Sequence, residues 1–438
     1  MKRLIRYLSL FVMLAVLASC KKVTNGLNVS PNKPTDATIN LLLNGIQVAS
    51  IVSYEGNNAR VAGIFSRAFT GSDRQYTSLN NYNTTASDYK EGWDFLYTNV
   101  IAQCYLVEAK ALATNNKTIL GIAQVMRAQA LGLAADLWGD VPFKQVGNPD
   151  QFAQPKFDKQ EDVYAGVQVL LDAAIINLSA NLGASPGAKD IFYGGNNQQW
   201  IAAANTLKAR FYLHTRGYAN AIMYANQGIP NAAGDMLAKH GGTYQLDMNL
   251  YNSFVDQDRG GYLTGASAFA PALLQTRGET ARLNALYKDA PGNNAVLNVE
   301  GFFGPSASFP LVTYSENQLI LAEANLKKVP LDNSAALVAL NNHRGYLNTI
   351  YGGYVNLMSA DLNEILKERY ITFIGQIEQF NDVRRTKNAL GISPTVNTTT
   401  VLPQRFLYPQ NELNTNSNTP PVSVGDLFKP TPVNDTPY

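Results

Sequence analysis

Four carboxylates stand close enough in sequence to suggest acid–base chemistry. Glu364 and Glu368, and then Glu378 and Asp382, are each four residues apart, so each pair shares one face of a helix. A glycosidase needs two carboxylates, one on either side of a sugar bond. Here Arg369, Arg384 and Arg385 stand beside them, and a paired carboxylate stays ionised and structural. His214, His240 and His343 are the whole histidine complement, far apart and outside any metal-ligand spacing. Asp256-Gln257-Asp258-Arg259-Gly260-Gly261 opens like a calcium loop, but Ser267 stands where a bidentate glutamate is needed. No Gly-x-Ser-x-Gly elbow and no phosphate-binding loop occurs. The residue types argue against an enzyme, and no cofactor is expected.

Binding chemistry is better supplied. Neutral oligosaccharides offer apolar ring faces and hydroxyl rims; aromatic rings stack on the former, and Asn, Asp, Gln and Arg satisfy the latter. Two irregular stretches concentrate that mixture. One carries Asp73, Arg74, Tyr76, Tyr82 and Tyr89; the other, Tyr251–Phe309, carries Tyr262, Phe269, Tyr287, Phe302 and Phe303. Asp73, Arg74, Tyr76, Tyr82, Tyr262, Phe269, Tyr287 and Phe302 are therefore expected to line a ligand mouth. The competing reading of each ring is that it packs its loop onto the helices. Trp138 and Trp200 fall within helical patterns and read as core, while Trp93 opens a helix beside the first loop and fits either role.

Such a mouth needs a frame. Within Thr118–Phe143, Leu120, Ala123, Met126, Ala130, Leu133, Ala134 and Leu137 recur three and four apart, drawing one apolar stripe along a helix. Its many alanines keep it thin, Gly139 ends it and Pro142 bars its resumption. A helix of this kind must be flanked on both sides, as in helical-repeat proteins. A first helix is expected from caps at Thr35–Asp36 through Ile39 and Ile51. Pairs follow: about Tyr89–Ala113 with Thr118–Gly139, and Lys159–Leu182 with Asn197–Arg216. Tyr218–Gly228, Thr313–Lys328, Asn333–Leu347 and Ala360–Arg385 read as further helices. Thr70–Tyr89 reads as one long polar loop, Ile229–Phe309 as mostly irregular, and the tail from Ser393 likewise. The expected fold is mainly α, with irregular tetratricopeptide-like helix pairs, long ligand-binding loops and little β. A clean repeat of about 34 residues is missing, so an irregular helical bundle is the alternative.

The first nineteen residues stand apart. Lys2, Arg3 and Arg6 precede the apolar run Leu8–Leu17, too short to anchor in a bilayer, and Leu17-Ala18-Ser19-Cys20 is a bacterial lipobox. The expected division is a signal peptide over 1–19, a lipidated tether over 20–35 and one domain over 36–438. Acyl chains on Cys20, at about 0.8 kcal/mol per buried methylene, would hold the chain on a membrane. No later apolar run is expected to span one. The net charge is +2; removal of Lys2, Arg3 and Arg6 leaves 32 basic against 33 acidic residues, and no basic stripe to suggest nucleic acid. With Cys20 acylated, Cys104 is the only thiol left, so no internal disulfide can form; its apolar neighbours mark it as a small buried residue.

With these segments in place the chain resembles the SusD/RagB family of outer-membrane nutrient-binding lipoproteins of the Bacteroidetes. The resemblance rests on motifs in family order: the lipobox at Cys20, MRAQALGLAADLWGDVPF, WIAAANTLKARFYLHTR, TYSENQLILAEANLKK, ILKERYITFIGQIEQFNDVRR and LPQRFLYPQNELNTN. It implies four irregular tetratricopeptide-like pairs with ligand loops over one side. It also implies a SusC-like TonB-dependent barrel as partner, an oligosaccharide or, as in RagB-type relatives, a peptide as ligand, and an outward-facing outer-membrane location. One departure is that Lys21 and Lys22 follow Cys20, where surface lipoproteins of this group often carry acidic residues. A third reading is a tetratricopeptide scaffold with an open concave groove and no loop cover.

Overall fold

The frame starts with α1 (Ile39–Glu55) and α2 (Asn57–Phe65). The computed structural model describes residues 37–438; the signal peptide over 1–19, Cys20 with its lipobox, Lys21, Lys22 and the tether over 20–35 lie outside the described residues. The N-cap of α1 is Thr38, whose hydroxyl accepts from the Leu41 amide at 3.4 Å, and not Thr35 or Asp36. The cap falls there because Ile39 and Leu42 are the first side chains to reach the core.

Next come α3 (Ala102–Ala113), α4 (Lys117–Trp138), α5 (Gln160–Ala180), α6 (Asn197–His214) and α7 (Tyr218–Ala225). A short α8 (Phe269–Thr276) lies in the irregular segment; α9 (Tyr314–Lys327), α10 (Asn333–Tyr351), α11 (Leu362–Thr372) and α12 (Ile377–Arg385) resume the frame. Successive helices from α3 to α7 pack side by side; α9 then packs on α7, α10 and α11, and α12 returns to α2. Helix makes up 57% of the chain and strand 5%, so the fold is mainly α with tetratricopeptide-like pairs. Ala360–Arg385 is two helices, not one, because Gly375 adopts φ +85° between α11 and α12.

Helix α4 is the buried axis. Asn116 caps it, accepting from the Ile119 amide at 3.0 Å, and Gly139 at φ +88° ends it. From Thr118 to Trp138 nearly every side chain is buried. Its thinness comes from glycine as much as alanine: a methyl at Gly132 would overlap the Phe211 ring of α6, and one at Gly121 would meet Leu178 of α5. By length and composition α4 and α5 could each cross a bilayer, against the expectation of no such run; α4's apolar window is 89% buried within the fold and α5's 44%. The indole of Trp138 donates to the Leu407 carbonyl at 3.0 Å and that of Trp200 to Asp190 at 2.7 Å, so both are core, as is Trp93 edge-on to Trp138. Cys104 is buried in the same core.

Strands are short: β1 (Thr70–Gly71), β2 (Val141–Pro142), β3 (Phe157–Asp158), β4 (Met236–Ala238), β5 (Leu263–Thr264), β6 (Tyr287–Lys288), β7 (Val296–Leu297) and β8 (Phe309–Val312). They pair antiparallel as β1–β5, β2–β3, β4–β8 and β6–β7. Each ladder staples a loop to the frame or to another loop.

Candidate ligand-binding site

The carboxylates of the helix motifs are committed to cations inside the frame. Glu368 accepts from Arg277 at 2.5 Å and Arg282 at 3.2 Å, and lies 3.0 Å from His343 Nε2. Arg369 grips Asp382 with two bonds of 2.8 and 3.0 Å, and Arg385 bridges Asp382 and Glu323. Arg210 forks onto Glu316 at 2.5 and 2.6 Å. His214 stands between Asp136 Oδ1 at 2.8 Å and Glu378 Oε2 at 3.0 Å. Burial alone would raise the Glu378 and Glu368 carboxyls; Arg210 and His214 for one, Arg282 and His343 for the other, outweigh it and hold both well below the usual range. Burial would lower His214, but Asp136 and Glu378 lift it to about 9, so it is an imidazolium at neutral pH. These groups tie α4, α6, α9, α11 and α12 together; Glu364, paired with Arg277 at 2.7 Å, instead lines a recess of about 520 Å³ with Glu279, whose carboxylate is paired with the same arginine.

The two ring-bearing segments do meet. β1 and β5 pair with Thr70 opposite Thr264 and Gly71 opposite Leu263, and the Ser72 amide donates to the Tyr262 carbonyl at 2.9 Å. Thr70 Oγ1 donates to the Ala266 carbonyl at 2.6 Å, and Arg67 Nη2 to that of Ser267 at 2.8 Å. Segments nearly two hundred residues apart in sequence thus become one surface, the loop face. It is not a continuous loop: Arg74–Asn80 is helical, started by Asp73, whose carboxylate accepts from the Arg74 amide at 2.8 Å. Ser253–Asp258 winds as a π-helical turn that carries Phe254 inward.

Most of the expected rings are turned into this junction and not out of it. Tyr76, 3% exposed, lies 5.0 Å from the Phe254 ring and 6.0 Å from Tyr262, and its hydroxyl accepts from Arg60 Nε at 2.8 Å. Tyr82, 4% exposed, is edge-on to Phe65 and Phe428, its hydroxyl accepting from the Thr395 amide at 3.1 Å. Tyr287, 1% exposed, donates to the Ala68 carbonyl at 2.9 Å. Tyr262 is 8% exposed, and Tyr89 is closed off against Phe406. The expectation that Tyr76, Tyr82, Tyr262 and Tyr287 offer open stacking faces is corrected: a loop with few apolar anchors uses its rings to bind itself to the frame. Phe269 is half-buried, edge-on to Tyr370 at 5.4 Å. Phe302 is half-buried beside Phe303 and lines a recess at the end of α10.

Asp73 and Arg74 remain exposed on the loop face. The structure adds an exposed ring absent from the expected set, held by the second segment. Tyr244 is 40% exposed and donates to Asp258 Oδ1 at 2.5 Å, while Ser253 Oγ donates to the other carboxylate oxygen at 3.1 Å. Gln75, Asp256 and Arg259 are exposed on the same two segments. Nothing in the local pattern of Thr243–Leu246 distinguishes Tyr244 from the buried tyrosines; its exposure follows from where Asp258 holds it.

Residues 31–234 match a SusD-like family model described as "Starch-binding associating with outer membrane". No curated protein matches the sequence. Among solved structures, a SusD/RagB family protein from Bacteroides thetaiotaomicron is similar with a TM-score of 0.72 at 18% identity, over 91% of this chain and 99% of its own. A chitin-binding protein gives 0.69 at 22% identity, over 87% and 95%. A chitin-binding SusD homologue from Flavobacterium johnsoniae gives 0.67 at 16%, over 86% and 94%. At these identities the structural likeness is one of fold.

Proposed function

We propose, for a chain that is SusD-like in sequence over residues 31–234 and in fold over its described residues, that it captures a neutral oligosaccharide on its loop face as an outer-membrane lipoprotein. It then passes that ligand to a SusC-like TonB-dependent transporter. The observation that carries this reading is the joining of the Thr70–Asn83 and Ser253–Thr264 segments into one exposed face on a rigid helical frame. That face mixes Asp73, Arg74, Asp256, Arg259 and the open ring of Tyr244, a rim suited to hydroxyls and one apolar sugar face. It carries charges of both signs, which favours an uncharged ligand over a strongly acidic or basic one. The family description and the chitin-binding neighbours point to the same class. A scaffold of the tetratricopeptide type needs an open groove without cover, and the loop face weighs against it.

A panel of neutral glycans in titration calorimetry is expected to yield a binder. Arg74→Ala should weaken it about tenfold or more, the loss of one charged hydrogen bond at about 1.5–3 kcal/mol. Failure of every neutral glycan while peptides bind would move the protein to the RagB-type peptide reading. The lipid anchor has its own check: Cys20→Ser should shift the chain from the membrane fraction to the soluble fraction, and an unchanged membrane fraction would contradict acylation at Cys20. Co-purification of a large barrel from detergent extracts is the expected sign of the transporter.

A further inference from the structure

The frame holds a recess of about 250 Å³ that the loop face does not use. Its walls come from β4, the start of α9, the last turns of α10, and the turn between α11 and α12. Phe302, Tyr346 and Tyr351 supply rings; Asp235, Ser315 and Gln376 supply polar atoms.

Those polar atoms are unspent. Asp235 Oδ1 accepts from the Tyr314 amide at 2.7 Å, but its Oδ2 has no protein partner. Gln376 Nε2 donates to the Thr372 carbonyl at 3.1 Å, while its Oε1 has none. The hydroxyls of Ser315, Tyr346 and Tyr351 also lack one, although Ser315 is only 6% and Gln376 only 8% exposed. Asp235, Tyr346 and Tyr351 are half-exposed and none of the five atoms is sealed from solvent, so these side chains line the recess with accessible donors and acceptors beside aromatic rings, the lining a hydrogen-bonding guest needs.

The chemistry of the guest follows from charge and size. Arg282 borders the recess, but its guanidinium is committed to Glu279, Glu368 and Thr372, leaving no free cation for an anionic ligand. Burial raises the Asp235 carboxyl to about 7, so near neutral pH it both donates and accepts and is no fixed anion for an ammonium ligand. The volume is below the range of about 300–1,000 Å³ typical of larger ligands. We infer that this recess binds one neutral polyhydroxylated ring, of monosaccharide size, with its apolar face on the three aromatic rings and its hydroxyls on Asp235, Ser315 and Gln376. The site shares no residue with the loop face, and it stands or falls separately from oligosaccharide capture there.

The test uses the full chain in detergent and a panel of glucose, galactose, mannose, xylose and N-acetylglucosamine, read by saturation-transfer NMR. At least one sugar is expected to bind. Ser315→Val and Tyr346→Phe should each weaken it about three- to tenfold, the loss of one hydrogen bond. Thermal melts of the variants establish that they fold. Absence of binding by every sugar up to tens of millimolar would overturn the inference. So would a bound sugar indifferent to both recess variants.

Discussion

His214 sits in a setting far from that of a free imidazole. It lies between two carboxylates and is held protonated, with its pKa raised from an ordinary value near 6.5 to about 9. A raised pKa stabilises the fold fully below the unfolded value, and that stabilisation is lost as pH climbs through the folded value. Chemical denaturation is therefore expected to show stability falling by a few kcal/mol between about pH 6.5 and 9. His214→Gln should remove that fall; a variant with the same slope would contradict the assignment. On the acid side the sign reverses. Burial would raise Glu323, but Arg385 and Arg369 hold it at about 2, so its contribution is present above about pH 4.5 and is lost as the pH falls towards 2. Arg210 anchors the same interior: Arg210→Met leaves Glu316 without its paired cation and Glu378 with only His214 and the field of Arg369, and should cost about 3–5 kcal/mol in denaturant melts.

At the scale of elements, α4 sets how closely its neighbours approach. Gly132→Ala gains about 1 kcal/mol of helix propensity but drives a methyl into the Phe211 ring, and overpacking costs about 1–3 kcal/mol. The prediction is a lower melting temperature with the fold retained; a higher one would show that Phe211 moves aside freely. The frame was legible because its cues are local and periodic: the α4 stripe, the stop at Gly139, and the Glu–Arg spacings of α11 and α12 that became buried pairs. The helix Arg74–Asn80 was not, since its support is the Asp73 cap and the burial of Tyr76 and Leu79, three residues apart in a polar stretch. The rings of the loops were legible in place but not in orientation. A tyrosine that seals a loop and one that faces a sugar look alike until the partner strand is known, as β5 is for Tyr76 and Asp258 for Tyr244. The recess was invisible because Tyr346 and Tyr351 lie on α10, a helix that reads as frame, while Asp235 comes from a distant strand edge.

At the scale of the molecule, a closed helical frame carries a loop face sewn together from two distant segments, and α12 packing on α2 makes that frame one support. Rigid support matters for capture, since a face that is already ordered spends little binding energy on ordering itself. The proposed lipid anchor at Cys20 and the outer-membrane association in the matching family model's description belong to the same proposed reading. The most direct measurement of the central claim is hydrogen–deuterium exchange of the full chain with and without the tightest-binding neutral oligosaccharide of the panel. The account predicts slowed exchange in 70–83 and 243–264, with α4 and α5 unchanged. Protection confined to the helical frame, or none at saturating glycan, would contradict it.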